Sequence, residues 1–496
     1  MPIRRLLIAN RGEIAVRIAR TAAEMGIETV AIHSEADANA LHVSRADRAV
    51  SLGAGPPRET YLSIEKVVAA ARTSGADAVH PGYGFLSESA AFARAVLEAG
   101  LTWIGPDPES IEAMGDKLSA RERAAAAGVP VVPGSSRGLA SDAELSREAA
   151  RLGYPLLVKA AGGGGGKGMA RVDSPGDLAA ALSEARRLSA GAFGDDRVYL
   201  ERLLDKPRHV EFQVFGDRAG RVVHLFEREC SVQRRHQKIV EETPSAALDP
   251  ALRDSMGKAA VAAARACRYV GAGTVEFLVD ASKTFYFLEM NTRLQVEHPI
   301  TEETLGVDLV RAQLEVAQGA DLPEDWREGR VSPRGHSIEM RLYAEDPDTF
   351  LPRSGRLLAY REPAGPGIRV DGGIARGSEV GLDFDPLLAK LVVRAANRAA
   401  AIARARQALS EWVVLGVETN LPLLSSVLAS PEFGSGAYDT GLVSRLPARS
   451  LEEPPEAAWV AAAALPGAAF AGASAVTSAR GVPDPWADGS GWRPLA

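Results

Sequence analysis

The sequence predicts an α/β and α+β protein of about three domains, and three patterns predict it. A strand–helix–strand alternation repeats over about the first 115 residues, which is typical of a parallel sheet covered by helices. Residues 274–297 contain two strand-like runs with polar side chains at alternate positions. From 331 to 446, short alternating segments precede two helices, which indicates a β-rich α+β unit. A chain of 496 residues is long enough for three such units.

The composition is that of an ordinary globular protein, with 46% hydrophobic and 24% charged residues. A net charge of -7 gives no general attraction to nucleic acids or acidic membranes, so we expect neither partner and a small ligand instead. Two cysteines, Cys230 and Cys267, make no disulfide framework and no zinc spacing. Because the N-terminus lacks a signal-peptide pattern, we expect a cytoplasmic protein. The uncharged run 457–479 is broken by Pro466 and glycines and makes a poor membrane span.

The N-terminal alternation is predicted from apolar runs separated by amphipathic segments. The predicted elements are strands over 4–9, 28–33 and 77–80, and helices over 12–25, over 61–74 and up to Glu98. The first turn, NRGE, contains no G-x-G-x-x-G, so this Rossmann-like unit need not bind a dinucleotide.

A helix is predicted from about 116 to 127, with Lys117 in its first turn. A lysine is unusual there because the helix dipole favours acidic groups. Lys117 is therefore either an ordinary solvated lysine or a phosphate ligand, and spacing alone leaves both open.

A glycine-rich segment follows the strand YPLLVK and precedes a second strand beginning near RV. Six of the seven residues from 162 to 168 are glycine, which is expected where bare backbone approaches a ligand. It is not a P-loop, because Ala161 stands where the first glycine is required and Gly168 replaces the Ser/Thr. We expect a flap whose amides surround phosphate oxygens, with Lys159 directed at the same phosphates. The alternative is a disordered linker.

The next segments are predicted as strands that carry hydrogen-bonding side chains. One strand ends near Glu201, and an alternating strand follows with His209, Glu211 and Gln213 on one side. After another strand comes a run rich in donors, 233–238, which is either a solvated surface or a site for an anionic substrate. An alanine-rich helix is predicted over 250–269.

The runs TVEFLV (274–279) and FYFLEMN (285–291) predict a hairpin closed by a short turn. The expected register places Leu278 opposite Phe287 and Glu276 opposite Glu289. Like charges at opposed positions are destabilising unless a cation lies between them. With Asn291 nearby, a hard divalent ion such as Mg²⁺ would resolve the conflict. The alternative is an exposed strand with ordinary solvated charges.

If the chain stays extended beyond this hairpin, its polar side chains share one face. These residues are Glu289, Asn291, Arg293, Gln295 and Glu297. A helix over 308–317 and a polar link over 319–332 lead to the third unit, and beyond 447 the chain is a tail rich in proline, alanine and glycine.

Several long motifs occur in one order, and together they resemble biotin carboxylase, the ATP-grasp component of biotin-dependent carboxylases. The motifs are IANRGEIAVRI, HPGYGFLSE, VKAAGGGGGKGM, ERECSVQRRHQKIVEE, GAGTVEF and FLEMNTRLQVEHPITE. The resemblance extends to about residue 446. It implies an ATP-grasp fold with a Rossmann-like domain (1–115), an ATP-grasp domain (116–330) with a mobile lid at about 133–204, and a C-terminal domain (331–446). The segment 447–496 then resembles the start of a truncated further module, as in acyl-CoA carboxylase α chains.

The resemblance also implies a reaction, in which ATP activates bicarbonate to carboxyphosphate and CO₂ is transferred to N1′ of biotin. It implies nucleotide ligands at Lys117, Lys159, Gly164, Gly165, Gly166, Met169, Glu201, Arg202, Leu204, His209, Gln233, His236 and Leu278. Many relatives have lysine at the position of Arg202, where the contact is expected from backbone. Magnesium or manganese ligands are implied at Glu276, Glu289 and Asn291.

For bicarbonate, the resemblance implies a pocket formed by Lys238, Arg293 and the backbone near Gln295 and Val296. Glu297 matches the general base, and Arg341 matches the residue that stabilises the enolate form of biotin. These assignments agree with chemical need, because bicarbonate is a weak nucleophile and a guanidinium remains charged at any working pH.

The partners implied are a biotin carboxyl carrier protein or domain, a carboxyltransferase subunit, and a second copy of the chain in a homodimer. The biotin must arrive from elsewhere because no Ala-Met-Lys-Met acceptor motif occurs. Two alternatives remain: another ATP-grasp ligase of the carbamoyl-phosphate or carboxylate-amine type, and a catalytically idle nucleotide-binding scaffold. The RRHQK and NTRLQVEHP segments argue against the first.

Overall fold

The N-terminal residues form a parallel sheet, as the βαβ alternation predicts. In this computed structural model, which describes residues 2–135, 141–161 and 169–447, the strand order is β3-β2-β1-β4-β5. The elements are β1 Arg5–Ile8, α1 Gly12–Glu24, β2 Glu28–His33, α2 Leu41–Arg45, β3 Arg48–Ser51, α3 Ile64–Ser74, β4 Ala78–His80, α4 Ala90–Glu98, β5 Thr102–Trp103 and α5 Pro108–Gly115. Helix α3 starts three residues later than predicted because the Ser63 side chain caps it by accepting from the amide of Lys66.

A small antiparallel sheet, β7-β6-β8, follows α6 Lys117–Ala126. Its elements are α7 Asp142–Leu152, β6 Leu156–Ala160, β7 Met169–Val172, α8 Leu178–Phe193 and β8 Val198–Arg202. Strands β6 and β7 pair with Lys159 opposite Met169, so two strands flank the glycine-rich segment as predicted. The glycine-rich segment itself, 162–168, lies outside the described residues, as does the part of the predicted lid at 136–140.

An eight-stranded antiparallel sheet contains, in spatial order, β13, β12, β9, β10 and β11 and then three strands of the third unit, β14 His336–Tyr343, β19 Leu387–Ala395 and β17 Ile368–Gly372. The elements up to residue 327 are β9 Arg208–Gly216, β10 Val222–Arg234, β11 Gln237–Thr243, α9 Pro250–Ala266, β12 Gly271–Val279, β13 Phe285–Asn291, α10 His298–Leu305, α11 Leu309–Ala317 and α12 Glu324–Arg327. The donor-rich run 233–238 contains the paired ends of β10 and β11 and the two-residue turn between them, in which Arg235 and His236 have φ of 47° and 65°.

The third unit contributes three strands to this same sheet. Its elements are β14 His336–Tyr343, β15 Gly355–Arg356, β16 Ala359–Arg361, β17 Ile368–Gly372, β18 Glu379–Val380, β19 Leu387–Ala395, α13 Arg398–Glu411, β20 Val413–Leu415, α14 Leu421–Ala429, α15 Pro431–Ser435 and α16 Leu442–Arg445. Strand β14 pairs directly with β11, so the sheet continues across residue 330. The predicted tail lies outside the described residues from 448 onward.

Alternation along β14 separates the core from a polar face. Ile338, Met340 and Leu342 pack in the hydrophobic core against α13 and α14. Glu339 and Arg341 therefore take the opposite face, although both are buried. Because of this alternation, a strand with one apolar face presents a guanidinium on its other face.

The predicted hairpin register is partly wrong. Leu278 lies opposite Tyr286 rather than Phe287, because the Asp280 carboxylate accepts from backbone amides of the turn and tightens it by one position. A β-bulge between Glu276 and Phe277 restores the predicted opposition of Glu276 and Glu289.

The extended chain predicted as far as Glu297 is also wrong, since β13 ends at Asn291 and Glu297 is the N-cap of α10. The polar link predicted over 319–332 is a third correction. It contains α12 and buries Leu322 and Trp326, whose ring lies 5.4 Å from that of Phe215. Within the ranges that the structure describes, no helix is both long and apolar enough to cross a bilayer.

Candidate active site

A cleft of about 930 Å³ lies between the small sheet and the large one. It is lined by Lys117, Lys159, Met169, Glu201, Arg202, Leu204, His209, Gln233, His236, Lys238, Glu276, Leu278, Glu289, Asn291, Arg293, Gln295, Val296 and Arg341. These are the predicted site residues except Glu297, which lies directly behind the lining, and Gly164, Gly165 and Gly166, which fall outside the described residues.

Lys238 is at the centre of the polar floor of the cleft. Its Nζ lies 2.5 Å from Glu211 Oε2, 2.8 Å from Glu276 Oε1 and 2.7 Å from Glu297 Oε1. Burial opposes the charged form, but the three carboxylates raise the pKa of Lys238 well above its usual value. Lys238 is therefore a fixed cation that holds three acidic side chains together.

Glu297 is fully buried and contacts cations on two sides. Its second oxygen, Oε2, lies 3.0 Å from Arg341 Nη2, whose Nε donates to Glu241 Oε1 at 2.7 Å. Burial alone would raise the pKa of Glu297, but Lys238 and Arg341 hold it well below the usual value. The carboxylate is thus ionised and able to accept a proton.

The opposed pair Glu276 and Glu289 has the oxygen donors that a hard divalent ion prefers. Glu289 is partly exposed to the cleft, with Lys117 Nζ 3.4 Å from its Oε2. Glu276 Oε1 accepts from Lys238 and, at 2.9 Å, from Asn291 Nδ2, while Oε2 lies 2.9 Å from His209 Nε2. These residues fit Mg²⁺, provided that Glu276 gives up one of its hydrogen bonds on binding it.

Arg293 lies between this pair and the active-site loop, residues 294–296, which connects it to Glu297. Its guanidinium donates to Asn291 Oδ1 at 3.1 Å and to Gln295 Oε1 at 2.7 Å. It also donates to Glu88, a residue of the N-terminal unit, at 3.0 Å. A half-buried guanidinium held at three points can bind a planar anion such as bicarbonate in one orientation.

The remaining polar residues line the side of the cleft near the small sheet. His209 Nδ1 lies 2.6 Å from Gln233 Nε2, so its ring is fixed between Gln233 and Glu276. Glu201 forms buried ion pairs with Lys159 and Arg121, so its carboxylate is already used.

The backbone at the end of β8, on the same side of the cleft, also forms a hydrogen bond within the protein. The amide of Arg202 donates to the Pro133 carbonyl at 2.8 Å, which leaves the carbonyl and side chain of Arg202 for any ligand.

The structure adds residues that were not predicted as part of the site. Glu211 bridges Lys238 and the fully buried Arg228, and its alternation with His209 along β9 was a sequence signal for this position. Cys230 Sγ lies 3.9 Å from Glu297. Glu88 and Glu241 had no such signal, because only tertiary packing brings them to Arg293 and Arg341.

Three family models match the chain in succession. They are the biotin carboxylase N-terminal domain (residues 2–111), the ATP-binding domain of the carbamoyl-phosphate synthase L chain (116–325) and the biotin carboxylase C-terminal domain (339–445).

Curated and solved relatives agree with these models. Biotin carboxylase of Halalkalibacterium halodurans is 48% identical over 441 residues, which cover 89% of this chain and 97% of that protein. The mitochondrial methylcrotonoyl-CoA carboxylase subunit alpha of Mus musculus is 47% identical over 443 residues, covering 89% of this chain and 62% of its own. The biotin carboxylase domain dimer of Hydrogenobacter thermophilus 2-oxoglutarate carboxylase, solved with MgADP, ADP and bicarbonate, superposes with a TM-score of 0.87 at 43% identity, covering 90% of this chain and 98% of that one.

Proposed function

The chain belongs to the biotin carboxylase family, and from that membership we propose how the residues of its cleft share the work of carboxylating biotin. It is an ATP-dependent biotin carboxylase with the three-part ATP-grasp architecture of the family. One observation carries the proposal: a single lysine, Lys238, touches both the metal-ligand candidate Glu276 and the candidate base Glu297. Nucleotide and bicarbonate chemistry would therefore meet within one hydrogen-bonded group.

Glu297 removes the proton from bicarbonate, and the freed oxygen attacks the γ-phosphorus of ATP to give carboxyphosphate and ADP. The low pKa of Glu297 in the free protein makes it a weak base, because Lys238 and Arg341 stabilise its charge. An anionic substrate beside Lys238 and Arg293 counteracts these cations and raises the pKa of Glu297 toward the useful range. Substrate binding would thus activate the base.

The nucleotide is bound from the other side of Lys238. Lys117, Lys159, His209, Gln233 and His236 contact the nucleotide, with Leu278 under the adenine. Glu276, Glu289 and Asn291 would hold Mg²⁺, which neutralises charge on the transferring phosphoryl group when bound.

The second half of the reaction takes place at Arg341. Carboxyphosphate divides into CO₂ and phosphate, the phosphate takes the N1′ proton of biotin, and N1′ attacks CO₂. Arg341 stabilises the negative ureido oxygen of biotin. Its attachment to Glu241 and Glu297 supports this role, because a guanidinium held at two points aims its remaining donors in a fixed direction.

The wider assembly follows from the same membership. We propose that biotin arrives on a carrier protein or domain, that a separate carboxyltransferase selects the acyl-CoA, that the chain forms a homodimer, and that it acts in the cytoplasm. The dimer in the Hydrogenobacter structure supports the homodimer. We also propose the domain limits 1–115, 116–330 and 331–446, because the matched family models change near 115 and 330.

The test is bicarbonate-dependent release of ADP by purified protein. Glu297→Gln keeps the shape of the side chain but cannot accept the proton, so turnover should fall by about 10²–10⁴-fold while nucleotide binding persists. Arg341→Ala should impair the biotin-stimulated rate more than the rate without biotin. Glu109→Gln, a change at an exposed side chain, is the control. Near-normal turnover in Glu297→Gln would remove Glu297 as the base.

The same assay addresses the alternatives. Stimulation of ATP hydrolysis by free biotin is expected here and not from a carbamoyl-phosphate-type or carboxylate-amine ligase. An idle scaffold would bind nucleotide but release no ADP.

A further inference from the structure

Two consecutive carbonyl groups in the active-site loop are held by buried side chains that do not line the cleft. The Gln295 carbonyl lies 2.7 Å from His298 Nδ1, and the Val296 carbonyl lies 2.8 Å from Lys390 Nζ. Both carbonyls belong to the loop between Arg293 and Glu297. The loop has no regular secondary structure of its own. The His298 amide also donates to the Gln295 carbonyl, at the longer distance of 3.4 Å, so the two shorter side-chain contacts are the main restraints on the peptide planes.

The orientation of each carbonyl also fixes an amide. The cis peptide bonds of the described chain lie elsewhere, at Pro155 and Pro244, so both loop peptides are trans and each N–H points opposite to its carbonyl. With the Gln295 carbonyl held on the His298 side, the Val296 N–H is directed away from His298. Gln295 and Val296 both line the cleft, and within the described residues the Val296 amide has no hydrogen-bond partner.

His298 is suited to hold its carbonyl permanently. It is fully buried, and burial together with Lys390 lowers its pKa well below the usual value, so the ring stays neutral. A carbonyl only accepts, and therefore Nδ1 must carry the proton. The other nitrogen, Nε2, has no hydrogen-bond partner among the described residues.

Lys390 is equally constrained. It has no exposed surface, and its Nζ lies 3.2 Å from Glu13 Oε1 and 4.0 Å from Asp371 Oδ2. Glu13 belongs to α1 and Asp371 to β17, while Lys390 itself is on β19. The ammonium thus connects the N-terminal unit and the large sheet to the active-site loop at Val296.

We propose that His298 and Lys390 are positioning residues for the active-site loop: His298, through the Gln295 carbonyl, directs the Val296 N–H toward bicarbonate, and Lys390, through the Val296 carbonyl, holds the next peptide of the loop in the matching orientation. The proposal deepens the proposed function, because it assumes that bicarbonate occupies this part of the cleft. Neither side chain touches the substrate. The two side chains act on the substrate only through the backbone of the active-site loop, whose own residues do not determine the orientation of its peptides.

The experiment measures KM for bicarbonate, KM for ATP and kcat in the full chain. His298→Leu removes the donor and should raise KM for bicarbonate about tenfold, the usual effect of losing one orienting hydrogen bond, with KM for ATP within about twofold of wild type. His298→Asn places an amide nitrogen near the Nδ1 position and should restore most of the affinity. Lys390→Met should have the same selective effect as His298→Leu.

A matched control separates positioning from folding. His42 is also a buried neutral histidine whose Nε2 lies 3.2 Å from a backbone carbonyl, that of Ile32, far along the chain from the loop. His42→Leu should lower thermal stability without changing KM for bicarbonate. Where Lys390→Met does not fold, Lys390→Met combined with Glu13→Gln removes both buried charges and is measured instead.

Different outcomes would contradict the positioning role and the proposed function. Equal increases in KM for ATP and bicarbonate, or no rescue by His298→Asn, would overturn the positioning role. If wild-type ADP release itself does not depend on bicarbonate, the proposed function fails and not merely this inference.

Discussion

Lys238→Met tests whether one ammonium group holds the acidic floor of the cleft together. Methionine keeps most of the stem and removes the charge from among Glu211, Glu276 and Glu297. At about 2.7 Å and an effective dielectric constant of about 20, each charge pair is worth roughly 6 kcal/mol before desolvation. Since burial cancels much of this, the measured loss in free energy of unfolding should be about 3–5 kcal/mol at neutral pH.

The loss should depend on pH. In the wild type, Lys238 helps to lower the pKa of Glu276 and Glu297, so their stabilising contribution is present above the usual glutamate pKa of 4.5 and is lost as pH falls. Without the lysine, burial raises both pKa values, and the variant loses stability as pH rises through them. The difference between the two proteins should therefore be larger at pH 8 than at pH 5.

Urea unfolding followed by circular dichroism at both pH values measures this difference. Lys258→Met is the control, since Lys258 pairs with Asp254 at 2.6 Å on the surface and should contribute less than about 1 kcal/mol. A Lys238→Met variant that loses no more stability than the control, or loses the same amount at both pH values, would refute the electrostatic reasoning.

Three further outcomes are expected. Glu289→Gln should raise the Mg²⁺ concentration needed for half-maximal ATP hydrolysis by about tenfold, and an unchanged requirement would exclude it as a ligand. Burial alone would raise the pKa of Glu242, but His336 and Arg398 lower it to about 2. Glu242 should therefore contribute about 3 kcal/mol to the free energy of unfolding, fully present above about pH 5 and lost as pH falls toward 2. In Glu242→Gln this part of the acid unfolding curve should be missing. Gly216→Ala should not yield folded protein, because its Cβ would lie 1.9 Å from a backbone oxygen, whereas Gly191→Ala in an open helical position should melt at or above the wild-type temperature.

Local patterns predicted most of the elements, whereas most residues of the cleft were predicted from the resemblance to biotin carboxylase. Opposition of Glu276 and Glu289 was predicted from an assumed regular register, and the structure has it because a β-bulge offsets an error of one position in that register. The rest of the hairpin register did not follow, because a β-bulge is a compromise between turn geometry and pairing that alternation does not contain. The predicted extended chain to Glu297 placed the right side chains together for the wrong reason: a loop and a helix N-terminus, not a strand, bring them to Lys238.

Site residues that are brought into place by contacts between distant parts of the chain could not be predicted from the sequence. Glu88 reaches Arg293 and Glu241 reaches Arg341 across separations of 205 and 100 residues. Lys390 lies within an apolar strand pattern, LLAKLVV, in which a lysine predicts an edge strand or an exposed side chain. The pairing of β19 with β14 places Lys390 opposite Arg341, and its Nζ donates to the Val296 carbonyl of the active-site loop.

The pairing of β11 with β14 limits how this protein can be divided into separately expressed modules. Backbone pairing there joins Glu242 to Ile338 and Thr243 to Ser337, so a cut in the gene near residue 330 would expose two long unpaired strand edges. Fragments made that way should aggregate when expressed alone and recover solubility when produced together. A split-protein complementation system could be built at this position, with enzyme activity as its signal.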